Sequence, residues 1–141
     1  MDIKVRYLGA KKFEMTARDH KVLSDQPFDN DGTDSAMSPP ELFLSSLGAC
    51  AAYYAVEYLK ARGLPDEELE VRVSGVKGDH PVRIVSMHLD IIAPGLNQRH
   101  RDGIMRSVNY CLIKNTLLVP PQIDVRVTSA DRVTEPEAVL V

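Results

Sequence analysis

The sequence predicts an α+β domain of antiparallel strands and two long, largely apolar helices, and three observations carry that expectation. Polar and apolar residues alternate with a strand-like period at 2–8, 69–76, 84–92 and 123–128. A strong helix start stands at Ser38-Pro39-Pro40-Glu41, and a second long helical stretch follows Asn97. The order is therefore strands, helix, strands, helix, strand, unlike the regular β-α alternation that builds a parallel sheet.

Residues 2–8 read as a half-buried strand, Gly9 with Ala10 as a hairpin turn, and 11–17 and 20–24 as the continuation of a small antiparallel sheet. Residues 24–37 are rich in Asp, Asn, Gly and Ser and read as an exposed loop. Ser38 then supplies an N-cap, Pro39 the first helical position and Glu41 the closing member of a capping box, for a helix from about 39 to 62 that stops at Gly63. Its interior is apolar around most of its circumference, which calls for cover on several sides. A second hairpin turns around Gly78-Asp79-His80-Pro81, and Asn97 caps a second helix running to about Leu118. Pro120-Pro121 precedes a last strand at 123–128, and 131–141 is left unassigned.

A chain of 141 residues suits one domain with one core, so 1–141 is read as a single unit. With 17 Lys and Arg against 20 Asp and Glu, interspersed and without runs, neither nucleic acid nor an anionic membrane is an expected partner. No stretch approaches the roughly 18 consecutive apolar residues of a membrane span, and Met1-Asp2-Ile3-Lys4 does not open a secretory leader, so the expected location is cytoplasmic. The two cysteines are too far apart for a zinc signature, and a reducing compartment keeps both as thiols.

Cys50 lies near the centre of the first helix behind the small residues Ser45-Ser46-Leu47-Gly48-Ala49, and Cys111 is expected at a similar depth in the second. Each is either a small core hydrophobe or a reactive thiol. If the helices pack together, the two sulfurs can face one another, as a peroxide-reactive pair requires. A thiolate at Cys50 also needs a cation, for which Arg18, Arg6 and Arg83 are the candidates. Glu41 serves as capping residue, as the group that orients such an arginine, or as both. His20, His80, His88 and His100 have no ligand-like spacing, so neither metal nor cofactor is expected. Asp29, Asp31 and Asp34 around Gly32 do not fit a calcium loop, because the glycine is out of register and no glutamate follows at the twelfth position. Ser74-Gly75-Val76-Lys77 matches Ser-x-x-Lys, but on a strand and without companion motifs.

Ser38-Pro39-Pro40-Glu41-Leu42 leading to Ser46-Leu47-Gly48-Ala49-Cys50, with His80-Pro81 and Tyr110-Cys111 further on, resembles the OsmC/Ohr family over roughly 1–129. The resemblance implies an intertwined homodimer in which sheets wrap a pair of central helices and two active sites lie at the interface. It further implies a thiol-dependent peroxidase for lipophilic organic hydroperoxides, with Cys50 attacking, Cys111 resolving, Glu41 holding the activating arginine, Arg18 as that arginine, and an external dithiol as reductant. The Tyr-Cys and His-Pro features, and Leu112 where proline often follows the second cysteine, look more like a less characterised OsmC-like branch. Two rival functions stand beside the peroxidase: a non-catalytic binding protein for an apolar small molecule, and a redox sensor.

Overall fold

The computed structural model describes residues 1–130, so the unassigned tail at 131–141 lies outside the described residues. Strands β1 (Lys4–Gly9), β2 (Lys12–Ala17) and β3 (His20–Ser24) form an antiparallel sheet in that order. The register pairs Val5 with Met15, Tyr7 with Phe13 and Met15 with Val22, so the two-residue period collects these apolar side chains on one face. The opposite face carries Lys4, Arg6, Thr16 and Lys21 around Glu14, which pairs with Arg6 at 3.0 Å and Lys21 at 3.4 Å. The apolar face has no cover of its own: Tyr7 is 62% exposed, and the sheet has no substantial packing against any helix or the second sheet.

The loop at 25–37 is mostly exposed, as expected, and is built around one buried side chain. Asp25 is only 1% exposed, and its Oδ2 accepts the backbone N–H and hydroxyl of both Thr33 and Ser35. These bonds, the Thr33 hydroxyl foremost, hold the carboxyl far below the usual carboxylate range against the opposing effect of burial. The polar residues are thus internal partners for one buried charge.

Helix α1 (Pro39–Lys60) starts where expected, with the Ser38–Glu41 capping box formed in both directions. It ends through Leu64 N–H donating to Leu59 O at 3.0 Å, a turn that Gly63 permits at φ 61°. By length and composition alone the helix is apolar enough to cross a bilayer, but here it is the core helix of the domain. Strands β4 (Glu70–Gly78) and β5 (Arg83–Ile92) pair antiparallel and lay Val73, Met87, Leu89 and Ile91 against it. The buried cluster is Leu47, Ala51, Ala55, Tyr58, Leu59, Ile104, Val108 and Cys111. Each large aliphatic member contributes about 1.5–3 kcal/mol by leaving water. Among the described residues only this stripe of α1 is covered, and Tyr53 on another face stays exposed, as does Phe43 at the start of the stripe.

Two expectations change beyond residue 97. The second helix is two helices, α2 (Gln98–Val108), capped by Asn97 as expected, and α3 (Leu112–Leu118). The break at 109–111 follows from local bonding: Asn109, Tyr110 and Cys111 turn back on the carbonyls of Arg106, Ser107 and Val108. Asn115 Nδ2 then fastens the Asn109 carbonyl at 3.0 Å. Tyr110 stays in solvent and Cys111 is in the core, on the side of Ile104 and Val108 where the helical period of α2 would also have placed it. Nor is 123–128 a strand in this chain, because no strand edge among the described residues pairs with it, and Val127 is 97% exposed.

Candidate active site

Cys50 owes its position to the close approach of α1 and β4. A Cβ on Gly48 would lie 2.8 Å from Val73 Cγ2, so only glycine lets the helix sit this near the sheet. The thiol is half-buried, at the edge of the covered stripe. Cys111 arrives by way of α2, which crosses α1 with Gly103 directly under Tyr58 and with Ser107 Oγ donating to Tyr54 O at 2.9 Å. Fully buried, Cys111 is the N-cap of α3, and its Sγ accepts the Lys114 N–H at 3.4 Å.

The two thiols are neighbours. Burial pushes the Cys111 thiol above its ordinary pKa, and the Cys50 side chain beside it adds to the shift, against the weaker pull of the Lys114 and Ile113 N–H groups. Cys111 is therefore a neutral thiol at neutral pH. This asymmetry is chemically useful, since a half-exposed sulfur can meet an oxidant while a protonated sulfur waits behind it.

Arg18 and Glu41 are not brought to this pair within one chain. Arg18 occupies the β2–β3 turn at φ 54°, exposed, on the sheet that stands away from α1. Glu41 lies nine positions before Cys50, and at 3.6 residues per turn that puts the two on opposite faces of α1. Its Oε2 accepts the Ser38 N–H and hydroxyl, each at 2.7 Å, and the Ser38 hydroxyl foremost lowers its pKa. The other cationic candidates are engaged elsewhere: Arg6 with Glu14, and Arg83 with the Pro81 carbonyl at 3.2 Å.

Three features escaped the sequence reading. Asp25 could have been suspected from hydroxyl residues at 33 and 35 that turn back on an upstream carboxylate. Gly103 stands inside a helix, where glycine costs about 1 kcal/mol, which is a hint of a packing reason. An apolar cavity of about 320 Å³ between α1, β5 and α3 ends at Cys111 and had no signal, because its walls come from four separate segments.

Residues 32–126 match the family model described as OsmC-like protein. No curated protein sequence matches the chain. Among solved structures, a candidate osmotic stress induced and detoxification response protein from Psychrobacter arcticus superposes with a TM-score of 0.74 at 20% identity, covering 81% of this chain and 85% of that one. An OsmC-like protein from Mycoplasma pneumoniae gives 0.69 at 20% identity over 83% and 86%. The organic hydroperoxide resistance protein OhrB of Bacillus subtilis gives 0.57 at 20% identity over 82% and 90%. At these identities the structural likeness establishes the fold.

Proposed function

This chain belongs to the OsmC-like protein family, which is associated with organic hydroperoxide resistance, and from that premise we propose that it is a thiol-dependent peroxidase for organic hydroperoxides. The observation that carries the proposal is the pairing of a half-buried Cys50 with a fully buried, protonated Cys111.

The Cys50 thiolate attacks the outer peroxide oxygen, and the O–O bond breaks. Sulfur is oxidised to the sulfenic acid, while the alkoxide takes a proton and leaves as the alcohol. The Cys111 thiol then attacks the sulfenic sulfur, releasing water and forming the Cys50–Cys111 disulfide. An external dithiol supplies two electrons and restores both thiols. No metal or cofactor takes part in this scheme, and a reducing, cytoplasmic setting suits it.

The working unit in this reading is a homodimer. The uncovered apolar face of β1–β3 and the open faces of α1 support it, since exposed apolar surface of this extent marks an interface. A second chain would then supply Arg18 as the cation beside Cys50, and Glu41, through its second carboxylate oxygen, as the group that orients it.

Titration of the reduced protein with cumene hydroperoxide under argon tests the reaction. Two thiols per chain should disappear in the parent protein, and none in Cys50→Ser. Cys111→Ser should lose one and stop at the sulfenic acid. An unchanged thiol count at excess peroxide sinks the proposal, and oxidation without turnover on dithiothreitol would make the protein a sensor.

A further inference from the structure

The cavity that ends at Cys111 is not the Cys50 side of the site. Cys111 lines it and Cys50 does not, so an occupant would contact the second thiol and not the first. Its walls are Leu47, Ile84, Met87, Val108, Leu117 and Leu118, and its volume of about 320 Å³ falls within the range of small-molecule sites. One charged residue interrupts the apolar lining. Lys114 stands at the first turn of α3, half-buried, and its ammonium donates to Asn109 Oδ1 at 2.6 Å. Asn109 is itself fixed by the Asn115 bond to its carbonyl, so the ammonium is held in place. No carboxylate among the described residues pairs with it.

We infer that this cavity is a binding site for an apolar carboxylate, whose chain lies among the leucines and whose head group pairs with the Lys114 ammonium. An ammonium has three donors, and among the described residues one is used. A single compact cation matches a single negative charge, whereas phosphate recognition favours a guanidinium fork. The Cys111 thiol at the inner end is neutral and does not repel the anion. An apolar chain gains by leaving water, and the head group keeps its charge at the half-buried lysine. Binding does not depend on peroxide chemistry, but the ligand would cover the buried side of Cys111.

The test uses reduced, full-length protein without peroxide, sodium decanoate as probe and decan-1-ol as its uncharged control. Calorimetry should find saturable decanoate binding at one site per chain. Lys114→Met should weaken decanoate about five-fold or more, the loss of one partly exposed ion pair, and leave decan-1-ol unchanged. Ser86→Phe, which fills the cavity from an exposed strand position, should abolish both. As a second readout, decanoate should slow alkylation of Cys111 in Cys50→Ser. Absence of saturable binding, equal decanoate affinity in Lys114→Met, or unchanged Cys111 alkylation at saturation overturns the inference. None of these results depends on whether Cys50 reduces peroxides, so the two readings fail separately.

Discussion

Gly103→Ala sets helix propensity against packing, and the structure decides the sign. Alanine inside a helix is favoured over glycine by about 1 kcal/mol, so propensity alone predicts stabilisation. A methyl at 103, however, falls inside the van der Waals shell of the Tyr58 hydroxyl and ring, too deeply for a small adjustment to relieve. Expelling the tyrosine would forfeit most of its burial, about 4–6 kcal/mol for 150–250 Å² at 25 cal/mol per Å². Shifting α2 costs about 1–3 kcal/mol for overpacking, and strains the Ser107–Tyr54 bond, worth about 1 kcal/mol. The cheaper route is the shift. After the propensity gain, the net loss is about 2 kcal/mol, or a Tm lower by roughly 4–8 °C for a domain of this size. The assay is a thermal melt of four proteins: parent, Gly103→Ala, Tyr58→Ala and the double variant. With Tyr58 removed, the Gly103→Ala change should become neutral or stabilising, a coupling of about 2–3 kcal/mol. A higher Tm in Gly103→Ala alone, or strict additivity in the cycle, refutes the packing argument. Because α2 delivers the chain to Cys111, the single variant should also form the cysteine disulfide more slowly.

Folding raises the Cys111 pKa, so the unfolded chain ionises first; stability is full below about pH 8.5 and falls as pH rises through the folded value. Reduced parent protein should therefore lose Tm between pH 7 and 10 more steeply than Cys111→Ala, and parallel curves would discount burial of the thiol. Ser38→Ala removes the hydroxyl's part in the capping box but keeps the backbone N–H bond to Glu41, costing about 1 kcal/mol by denaturant titration. In the same variant the Glu41 carboxyl should titrate higher by NMR, since the Ser38 hydroxyl is the main cause of its lowered pKa. Asp25→Ala should speed amide exchange at Thr33 and Ser35 and expose 26–35 to proteolysis, whereas unchanged protection would mean the loop holds without its carboxylate. On the dimer reading, Arg18→Ala should slow alkylation of Cys50 at pH 7 in Cys111→Ser, while Arg18→Lys largely keeps the rate; an unchanged rate removes Arg18 from the site.

The elements with local signals were legible: β1 to β3, the capping box, the stop at Gly63, the second hairpin and the Asn97 cap each appear within a residue or two of expectation. These rest on propensities that act over a few neighbours. The break at 109–111 was not legible, because Asn-Tyr-Cys contains neither glycine nor proline and the kink is stabilised by bonds from Lys114 and Asn115 one turn later. The 123–128 segment shows the converse failure. Its alternation is real, but a strand needs an edge to pair with, and sequence does not reveal whether one exists. At the site, the sequence left open whether the two cysteines would meet, since that depended on how the helices pack, and it expected Cys111 within a helix rather than at the N-cap of α3. Nor did it show their asymmetry, because burial at each position is set by which neighbouring elements cover it.

That asymmetry also bears on which surfaces remain open. Helix α1 is apolar nearly all round, yet β4, β5 and α2 cover only one stripe of it. Cys50 stands at the border between that stripe and the uncovered side where Tyr53 is exposed. The first sheet presents an apolar face of Val5, Tyr7, Phe13 and Val22 with nothing among the described residues packed on it, and Arg18 lies at the end of the same sheet. Among the described residues, a single chain thus carries both an apolar helix covered by a sheet on one side only and an apolar sheet lacking a helix. The two-fold operation that satisfies one satisfies the other, because in an isologous pair each chain offers what its copy lacks. On that arrangement the border at which Cys50 sits becomes the wall of an interfacial site, and Arg18 of a second copy could reach it. Sedimentation of the Tyr7→Lys/Val22→Lys variant, which charges the sheet face without touching either cysteine, should give a monomer that no longer reacts faster at Cys50 than a free thiol. A charged-face variant that stays dimeric, or a monomer with unchanged Cys50 reactivity, would detach the thiol chemistry from assembly.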